Sequence, residues 1–300
     1  KKKNNFTFNR KKVMKKITVI GATGMLGIPV TKELIKVGFE ITALVRDKNK
    51  AQTIFPNEIN IVEGDLKDKS SVLKALQGTE GLYLNLSIKP TEKKTDFHSE
   101  AEGLDNLLTV AKQMGIKRIG YLAAITLVSK DYYKNDWWVM DIKRKAIEKI
   151  KNSGIPYTIF YPTNFMENLN HNLIQGDKIN IVGKPLYKNW WIAGEDYGRQ
   201  VAKSFQILQN ENREYVVQGT EGLMMEDVVD IFIRNYKKQS LSKGKAPLVL
   251  LKFIGLFSPK LNFVSHIIDV LNNYEEKFES HQTWKELGKP SITIEQYAKL

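Results

Sequence analysis

The 300-residue sequence predicts an α/β fold, a doubly wound parallel sheet with a smaller C-terminal lobe. Three observations predict it. Strand-like and helix-like runs alternate with short links through the first half, which is typical of a parallel sheet covered by helices on both faces. A glycine-rich turn at residues 21–27 lies between an apolar run at 17–20 and a helix-like run at 26–37. After Tyr161 the alternation gives way to aromatic residues, loops and short helices.

The glycine turn reads Gly-Ala-Thr-Gly-Met-Leu-Gly. A strand, a glycine turn and a helix in this order predict a dinucleotide site. The first glycine permits the tight turn, the second lets the backbone approach a pyrophosphate, and the third lets the helix pack on its strand. The cofactor-binding residues predicted here are Gly21, Thr23, Gly24, Met25, Leu26 and Gly27.

The remaining elements of the predicted sheet follow from apolar runs and helix caps. Asp47 is the expected N-cap of the helix after the second strand, and Asp68 or Ser70 that of the next. Gly115 and Gly154 are expected to end the two long helices before the fifth and sixth strands. The predicted strands are residues 17–20, 40–45, 59–63, 81–84, 118–122 and 157–161.

The end of the second strand predicts which nucleotide binds. An NAD site places an acid here, roughly 20 residues after the glycines, to hold the ribose hydroxyls. In this chain Arg46 follows the strand directly, where a guanidinium can clamp a 2′-phosphate, and Asp47 is explained as the helix cap. NADP(H) is therefore predicted in preference to NAD(H). The alternative is a surface arginine without a ligand.

Two further loops at the same sheet edge are predicted to contact the dinucleotide. Asp65 and Leu66 follow the third strand, where the adenine would lie. Asp65 either accepts a hydrogen bond from the adenine amine or caps the following turn. Asn85 follows the fourth strand, where a bound dinucleotide would cross the sheet.

Several segments together resemble the NmrA-like group of atypical short-chain dehydrogenase/reductases. They are GATGMLG at 21–27, LVRD at 44–47, GDL at 64–66, KRIGYL at 117–122 and SGIPYT at 153–158. The resemblance implies an NAD(P)-binding Rossmann domain over residues 14–165 and a substrate lobe over 166–300, interleaved with the sheet through segments 179–182 and 215–217. The group includes NAD(P)H-dependent quinone reductases, plant reductases of benzylic ethers and nucleotide-sensing regulators.

The chain departs from the Ser-Tyr-Lys pattern of the wider superfamily. Lys143 falls on the family lysine, but Val139 occupies the tyrosine position, and alanines at 123–124 replace the serine. Neither alanine nor valine can exchange a proton. The resemblance thus implies Lys143 as the catalytic proton donor that also holds the nicotinamide ribose. The alternative is that Lys143 belongs to a solvated basic helix face; Thr126, Tyr132 and Tyr133 are nearby substitutes for the missing hydroxyls.

The segment after the sixth strand resembles the one that lines the nicotinamide end in the family. It implies contacts from Tyr161 and from Asn164, which could bond the carboxamide; a loop role is the alternative. Tryptophan pairs at 137–138 and 190–191 suit a flat aromatic substrate if they face the cleft, and otherwise serve packing. In the lobe, Asp196 is expected to cap a helix over 197–208, and 226–236 reads as an amphipathic helix.

Composition excludes several classes of function. The chain has no cysteine and four scattered histidines, so neither a disulfide nor a metal site is expected. Six of the 46 basic residues lie in segment 1–13, which holds no acid and is expected to be a disordered extension. The basic residues outside this segment, which account for the rest of the net charge of +13, predict a solvated basic surface rather than a nucleic-acid site.

The longest apolar stretch, residues 246–257, is interrupted by Lys252 and is too short to span a bilayer. It is expected to form a lid over a substrate pocket or, alternatively, an amphipathic helix that touches a membrane. The sequence as a whole predicts a cytoplasmic NADPH-dependent reductase of a small carbonyl, quinone or similar electrophile. The alternative is a non-catalytic NADP(H) sensor with a protein partner.

Overall fold

The computed structural model describes residues 14–128 and 137–300. Its largest element is a seven-stranded parallel sheet with strand order β3-β2-β1-β4-β5-β6-β9, and β10, β8 and β7 form a second, three-stranded sheet. In chain order the strands are β1 (Lys16–Ile20), β2 (Glu40–Val45), β3 (Asn60–Glu63), β4 (Gly81–Leu84), β5 (Arg118–Leu122), β6 (Tyr157–Pro162), β7 (Ile174–Gln175), β8 (Lys178–Val182), β9 (Arg213–Val217) and β10 (Ser242–Ala246).

The helices cover both faces of the large sheet and build the C-terminal lobe. They are α1 (Gly27–Lys36), α2 (Lys48–Ile54), α3 (Lys69–Leu76), α4 (Glu102–Gln113), α5 (Trp138–Lys151), α6 (Gly194–Ile207), α7 (Met225–Asn235), α8 (Leu248–Gly255), α9 (Pro259–Asn273), α10 (His281–Leu287) and α11 (Ile294–Ala298). One apolar cluster joins α3, α4 and α5 to one face of the sheet. Another joins α1 and α6 to the opposite face. The doubly wound α/β fold predicted from the sequence is confirmed.

All the predicted strands of the first half are present, with ends that differ by at most one residue. The helix boundaries have the expected local causes. Asp47 accepts a hydrogen bond from the Lys50 backbone N–H at 2.9 Å, and Asp68, not Ser70, caps α3. Gly115 and Gly154 have positive φ angles of 67° and 76°, as the ends of α4 and α5 require.

The predicted cap at Asp196 is wrong. Helix α6 begins at Gly194, which places Asp196 in its first turn. The backbone N–H of Gly194 donates to Glu167 Oε1 at 2.8 Å, so a distant side chain supplies an acceptor that no local residue provides. The Asp196 carboxylate accepts instead from the backbone N–H groups of Ser291 and Ile292.

Residues from the C-terminal half return to the large sheet at β9, which pairs in parallel with β6. Segment 179–182 does not return there. Its strand β8 pairs with β7 and β10 in the small sheet, where Ile179 and Ile181 pack against α7 and α11. No helix within the described ranges is long and apolar enough to cross a membrane.

Candidate functional site

A cleft of about 480 Å³ lies at the carboxyl ends of the central strands, beside the point between β1 and β4 where the strand order reverses. Such switch points are where open α/β sheets bind ligands. Most of the predicted cofactor-binding residues line it: Gly21, Thr23, Gly24, Met25, Leu26, Arg46, Asp65, Leu66, Asn85 and Lys143. The cleft therefore brings together residues from five separate segments of the sequence.

Each of the three positions in the turn requires glycine for a different structural reason. Gly21 has a φ of 82°, and a Cβ there would lie 2.3 Å from the Asn85 backbone oxygen. A Cβ on Gly27 would lie 1.9 Å from the Gly21 oxygen, so α1 can pack this closely only with glycine. A Cβ on Gly24 would meet its nearest protein atom at 3.2 Å. The fold thus requires Gly21 and Gly27 most strongly, whereas Gly24 also keeps the cleft wall open to a close ligand.

Helix α1 points its N-terminus into this turn without a local counter-charge. Leu26 occupies the N-cap position and makes no side-chain cap bond, and the first turn of α1 contains no acidic residue. A helix N-terminus with free N–H groups carries a partial positive charge and binds anions. The geometry fits the pyrophosphate of a dinucleotide.

Two cations border the opposite end of the cleft. Arg46 directly follows β2, and Lys50, in the first turn of α2, borders the same space. Sequence reasoning missed Lys50, because Arg46 precedes the N-cap Asp47 and no helical spacing relates the two cations. Asp65 lines the cleft nearby while its Oδ1 accepts from the Lys67 backbone N–H at 2.9 Å. This bond is the turn cap that was the alternative to an adenine contact.

Lys143 is held by a buried carboxylate that sequence reasoning did not find. Its Nζ lies 2.7 and 3.1 Å from the two oxygens of Glu100, whose side chain is fully buried. The Tyr121 hydroxyl donates to the same carboxylate at 2.8 Å. Burial, and then the negative charge of Glu100, keep the pKa of Tyr121 well above its usual range, so this phenol stays a donor.

The pairing separates Lys143 from the other cations of α5. Only 16% of its side chain is exposed, and it borders the cleft. Lys149 and Lys151 instead form surface ion pairs with Asp105 and Glu214. Lys143 therefore does not belong to a uniform solvated face. Glu100 is 43 residues away in sequence and precedes α4, so no local pattern indicated the pair.

Three predicted contacts do not line the cleft: Gly27, whose role is the close packing of α1, Tyr161 and Asn164. The Tyr161 hydroxyl donates to Glu214 Oε2 at 2.6 Å, within the cluster that covers the α5 face of the sheet. Burial raises the pKa of this phenol. Asn164 accepts the Ile192 backbone N–H at 3.0 Å through its own backbone oxygen and lies outside the cleft lining.

The positions of the missing hydroxyls are apolar in the structure as well. Val139 is buried in a small cluster with Ile88 and Trp137, and Ala123 is buried beside the cleft. The hydroxyl of Thr126 is buried and has no hydrogen-bond partner among the described residues. Tyr132 and Tyr133 lie outside the described residues.

The two tryptophan pairs differ in their surroundings. Trp137 and Trp138 border a second cleft of about 300 Å³, which Phe263 of α9 also lines. Trp191 is buried in the lobe core, and Trp190 packs against Phe278 with ring centroids 6.0 Å apart. The first pair borders a cleft, although Trp137 is itself buried against Phe263 and His266, and the second pair serves packing.

The fold and the cleft define an α/β protein of the Rossmann type. The chain belongs to the NmrA-like family, whose model matches residues 13–298. The family resemblance seen in the sequence is therefore confirmed.

Relatives of this chain carry different functions. It is 23% identical over 283 residues to the photosystem II assembly factor Ycf39 of Trieres chinensis, covering 90% of this chain and 87% of the relative. It is 25% identical to an NAD(P)H azoreductase of Xenophilus azovorans, covering 71% of each chain. It is 27% identical to quinone oxidoreductase 2 of Escherichia coli K12, covering 68% of each.

Solved structures share the fold over nearly the whole chain. An NADPH-dependent quinone oxidoreductase from Escherichia coli, solved with NADPH, superimposes with a TM-score of 0.72 at 21% identity, covering 94% of this chain and 98% of that one. A Citrobacter triphenylmethane reductase solved with NADP(H) gives a TM-score of 0.72 at 19% identity, covering 95% and 100%.

Proposed function

We propose that this protein is an NADPH-dependent oxidoreductase that reduces a small carbonyl, quinone or similar electrophile without the Ser-Tyr-Lys triad. The observation that carries the proposal is a single cleft that joins the glycine turn, Arg46 and Lys143. The azoreductase and quinone oxidoreductase relatives support a reductase.

The order of the residues along the cleft fits one orientation of a bound NADP(H) molecule. The N-terminus of α1 would hold the pyrophosphate, Arg46 and Lys50 would hold the 2′-phosphate, and Lys143 would hold the nicotinamide ribose. Asn85 lies between these ends, with its side-chain amide donating to the Gly21 oxygen at 3.3 Å. Bound NADPH supplies a hydride to the substrate.

Lys143 supplies the charge and the proton at the reacting end. Its ammonium can donate a proton to the substrate oxygen as negative charge develops there. Glu100 keeps this ammonium in one place. A quinone needs little further help because its reduced form takes protons from water. Trp137 and Trp138 line the second cleft and not the cofactor cleft, so the proposal of an aromatic or quinone-like substrate rests on the azoreductase and quinone oxidoreductase relatives.

The preference for NADP(H) is tested by calorimetry with NADPH, NADP⁺ and NADH. We expect both phosphorylated nucleotides to bind more tightly than NADH. Arg46→Ala removes a charge-assisted contact worth about 1.5–3 kcal/mol, so NADPH binding should weaken about tenfold or more while NADH binding barely changes. Lys48→Ala, an exposed cation next to Asp47, is the matched control. Equal losses in both variants would contradict a 2′-phosphate site at Arg46.

Turnover is tested by NADPH oxidation across a panel of quinones, carbonyl compounds and azo dyes. Lys143→Ala should lower kcat by about 10²-fold or more, within the range of general acid catalysis. Lys145→Ala, an exposed cation on the same helix, should have no effect. No oxidation with any substrate, together with tight NADPH binding, would remove the reductase and leave the second candidate.

The second candidate is a non-catalytic NADP(H)-binding regulator. Val139 and Ala123 favour it because both superfamily hydroxyls are absent, and the photosystem II assembly factors among the relatives support a role in protein assembly. A regulator requires a protein partner whose capture depends on the nucleotide. Pull-down with the full chain, with and without saturating NADPH, tests this. Capture that is equal in the two conditions would count against it.

A further inference from the structure

The tip of the α8–α9 hairpin is the most exposed apolar surface of the described residues. Helix α8 and the turn that follows it expose Val249, Leu250, Phe253, Ile254, Leu256 and Phe257, with exposed fractions from 42% to 79%. We call these six residues the hairpin tip. Other large exposed apolar residues, such as Leu186 and Ile207, lie singly on other segments.

The hairpin tip is a continuous face rather than a scatter of side chains. At about 100° per residue, its four positions within α8 cover about 140° of the helix circumference. Within α8 only Gly255 is buried, although nearly every side chain is apolar. A helix that is apolar over such a wide arc is normally covered. The lid interpretation does not account for it, because only Gly255 and Leu256 of this segment border the second cleft.

The Asp, Glu, Lys and Arg side chains within the segment that carries the hairpin tip are lysines alone. Segment 247–268 contains Lys252 and Lys260 and no carboxylate. The Asp269 carboxylate, which pairs with Lys252 at 2.8 Å, lies further along α9. The chain as a whole carries a net charge of +13. An apolar face flanked by two lysines, on a chain with a net positive charge, is complementary to an anionic lipid surface.

We propose that the hairpin tip inserts into the anionic leaflet of a lipid membrane as a peripheral anchor. A second copy of the chain fits this face less well, because two tips would bring like-charged lysines together, and Asp269, the carboxylate beside the tip, already pairs with Lys252. A helix of this length can bury its apolar face in the interface without spanning the bilayer. The anchor is independent of the reductase chemistry and can exist without it.

Flotation with lipid vesicles tests the proposal on the full chain. We expect the protein to float with vesicles of phosphatidylcholine and phosphatidylglycerol, and at least tenfold less with phosphatidylcholine alone. High salt should weaken the interaction. The double variant Phe253→Asp and Phe257→Asp should lose at least tenfold of the bound fraction, because both side chains are largely exposed and contribute to no core.

The matched control is the double variant Leu186→Asp and Ile207→Asp, which makes the same charge change at single exposed apolar residues outside the tip. It should float like the unmodified chain. Equal losses in the two double variants would overturn the proposal, as would no flotation of the unmodified chain. A concentration-dependent dimer that only the tip variant abolishes, without vesicle binding, would assign the face to a second copy and also overturn it.

Discussion

Two buried carboxylates near the carboxyl edge of the large sheet differ in the charge of the groups that contact them. Glu100 faces a cation, Lys143, that also borders the cofactor cleft, and its second partner is Tyr121. Glu276 lies where β6, β9 and the lobe meet, and the hydrogen bonds described for it come from neutral groups: Thr163 at 2.8 Å, Asn189 at 3.1 Å, Gln218 at 2.7 Å and the Trp190 backbone N–H at 3.4 Å.

The difference indicates two different roles. A carboxylate that neutralises one cation at a cleft positions that cation for a ligand. A carboxylate surrounded by donors from several segments ties those segments together. Burial raises the pKa of Glu276, although its hydrogen bonds act in the opposite direction. We therefore expect Glu276 to matter for stability and Glu100 for turnover.

The largest effect is expected from Glu276→Ala. The change leaves the donors of Thr163, Asn189 and Gln218 buried without their acceptor, and each unsatisfied group costs about 1 kcal/mol or more. We expect the free energy of unfolding to fall by about 3 kcal/mol in urea titrations. Glu275→Ala, an exposed neighbour, should change it by less than about 0.5 kcal/mol. A small loss for Glu276→Ala would remove its assigned structural role.

Glu100→Gln tests the other side of the comparison. The amide keeps an acceptor for Tyr121 but loses the ion pair with Lys143. We expect kcat to fall about tenfold, because the ammonium loses the buried partner that holds it at the cleft. The free energy of unfolding and the KM for NADPH should change little in comparison.

Asp105→Asn is the matched control for Glu100→Gln. The Asp105–Lys149 ion pair also contacts α5, but at the surface. This variant should keep kcat, since exposed ion pairs contribute about 0–1 kcal/mol. If the two variants behave alike, Glu100 is a packing residue.

The smallest expected effects are in how the free energy of unfolding depends on pH. The contributions of the Glu276 and Glu80 carboxyls should change with pH in opposite directions. The raised pKa of Glu276 means that the folded state binds its proton more tightly than the unfolded chain. The free energy of unfolding of the unmodified chain, relative to that of the Glu276→Gln variant, should therefore be greatest below about pH 4.5. It should fall as the pH rises through the folded-state pKa of Glu276. Urea titrations between pH 4 and 8 measure this difference. A difference that rises with pH would contradict the assignment.

Glu80 provides the opposite case at the amino-terminal edge of the sheet. The hydrogen bond from Lys117 at 2.6 Å holds the pKa of Glu80 below its usual value. The contribution of Glu80 to the free energy of unfolding, measured against the Glu80→Gln variant, should be present above pH 4.5. It should be lost as the pH falls through the folded-state pKa of Glu80. We expect about 1 kcal/mol or less, because the pair is near the surface.

The sequence by itself determined the cofactor half of the fold. The apolar runs, the caps at Asp47 and Asp68 and the glycine turn are local patterns, and each acts within a few residues of itself. Arg46 was predictable for the same reason, because its place depends only on where β2 ends. These features specify a strand, a turn or a helix end without any distant partner.

Only the tertiary structure decided the features that depend on distant contacts. Glu100 reaches Lys143 across 43 residues, and Glu167 supplies the acceptor at the start of α6 from 27 residues away. Tyr161 lies within β6, as expected, but its hydroxyl donates to Glu214 of β9 and does not reach the cleft, because successive side chains of a strand point to opposite faces. The residues next to a carboxylate in the sequence do not indicate which distant group it will contact. The roles of these carboxylates therefore follow from tertiary packing.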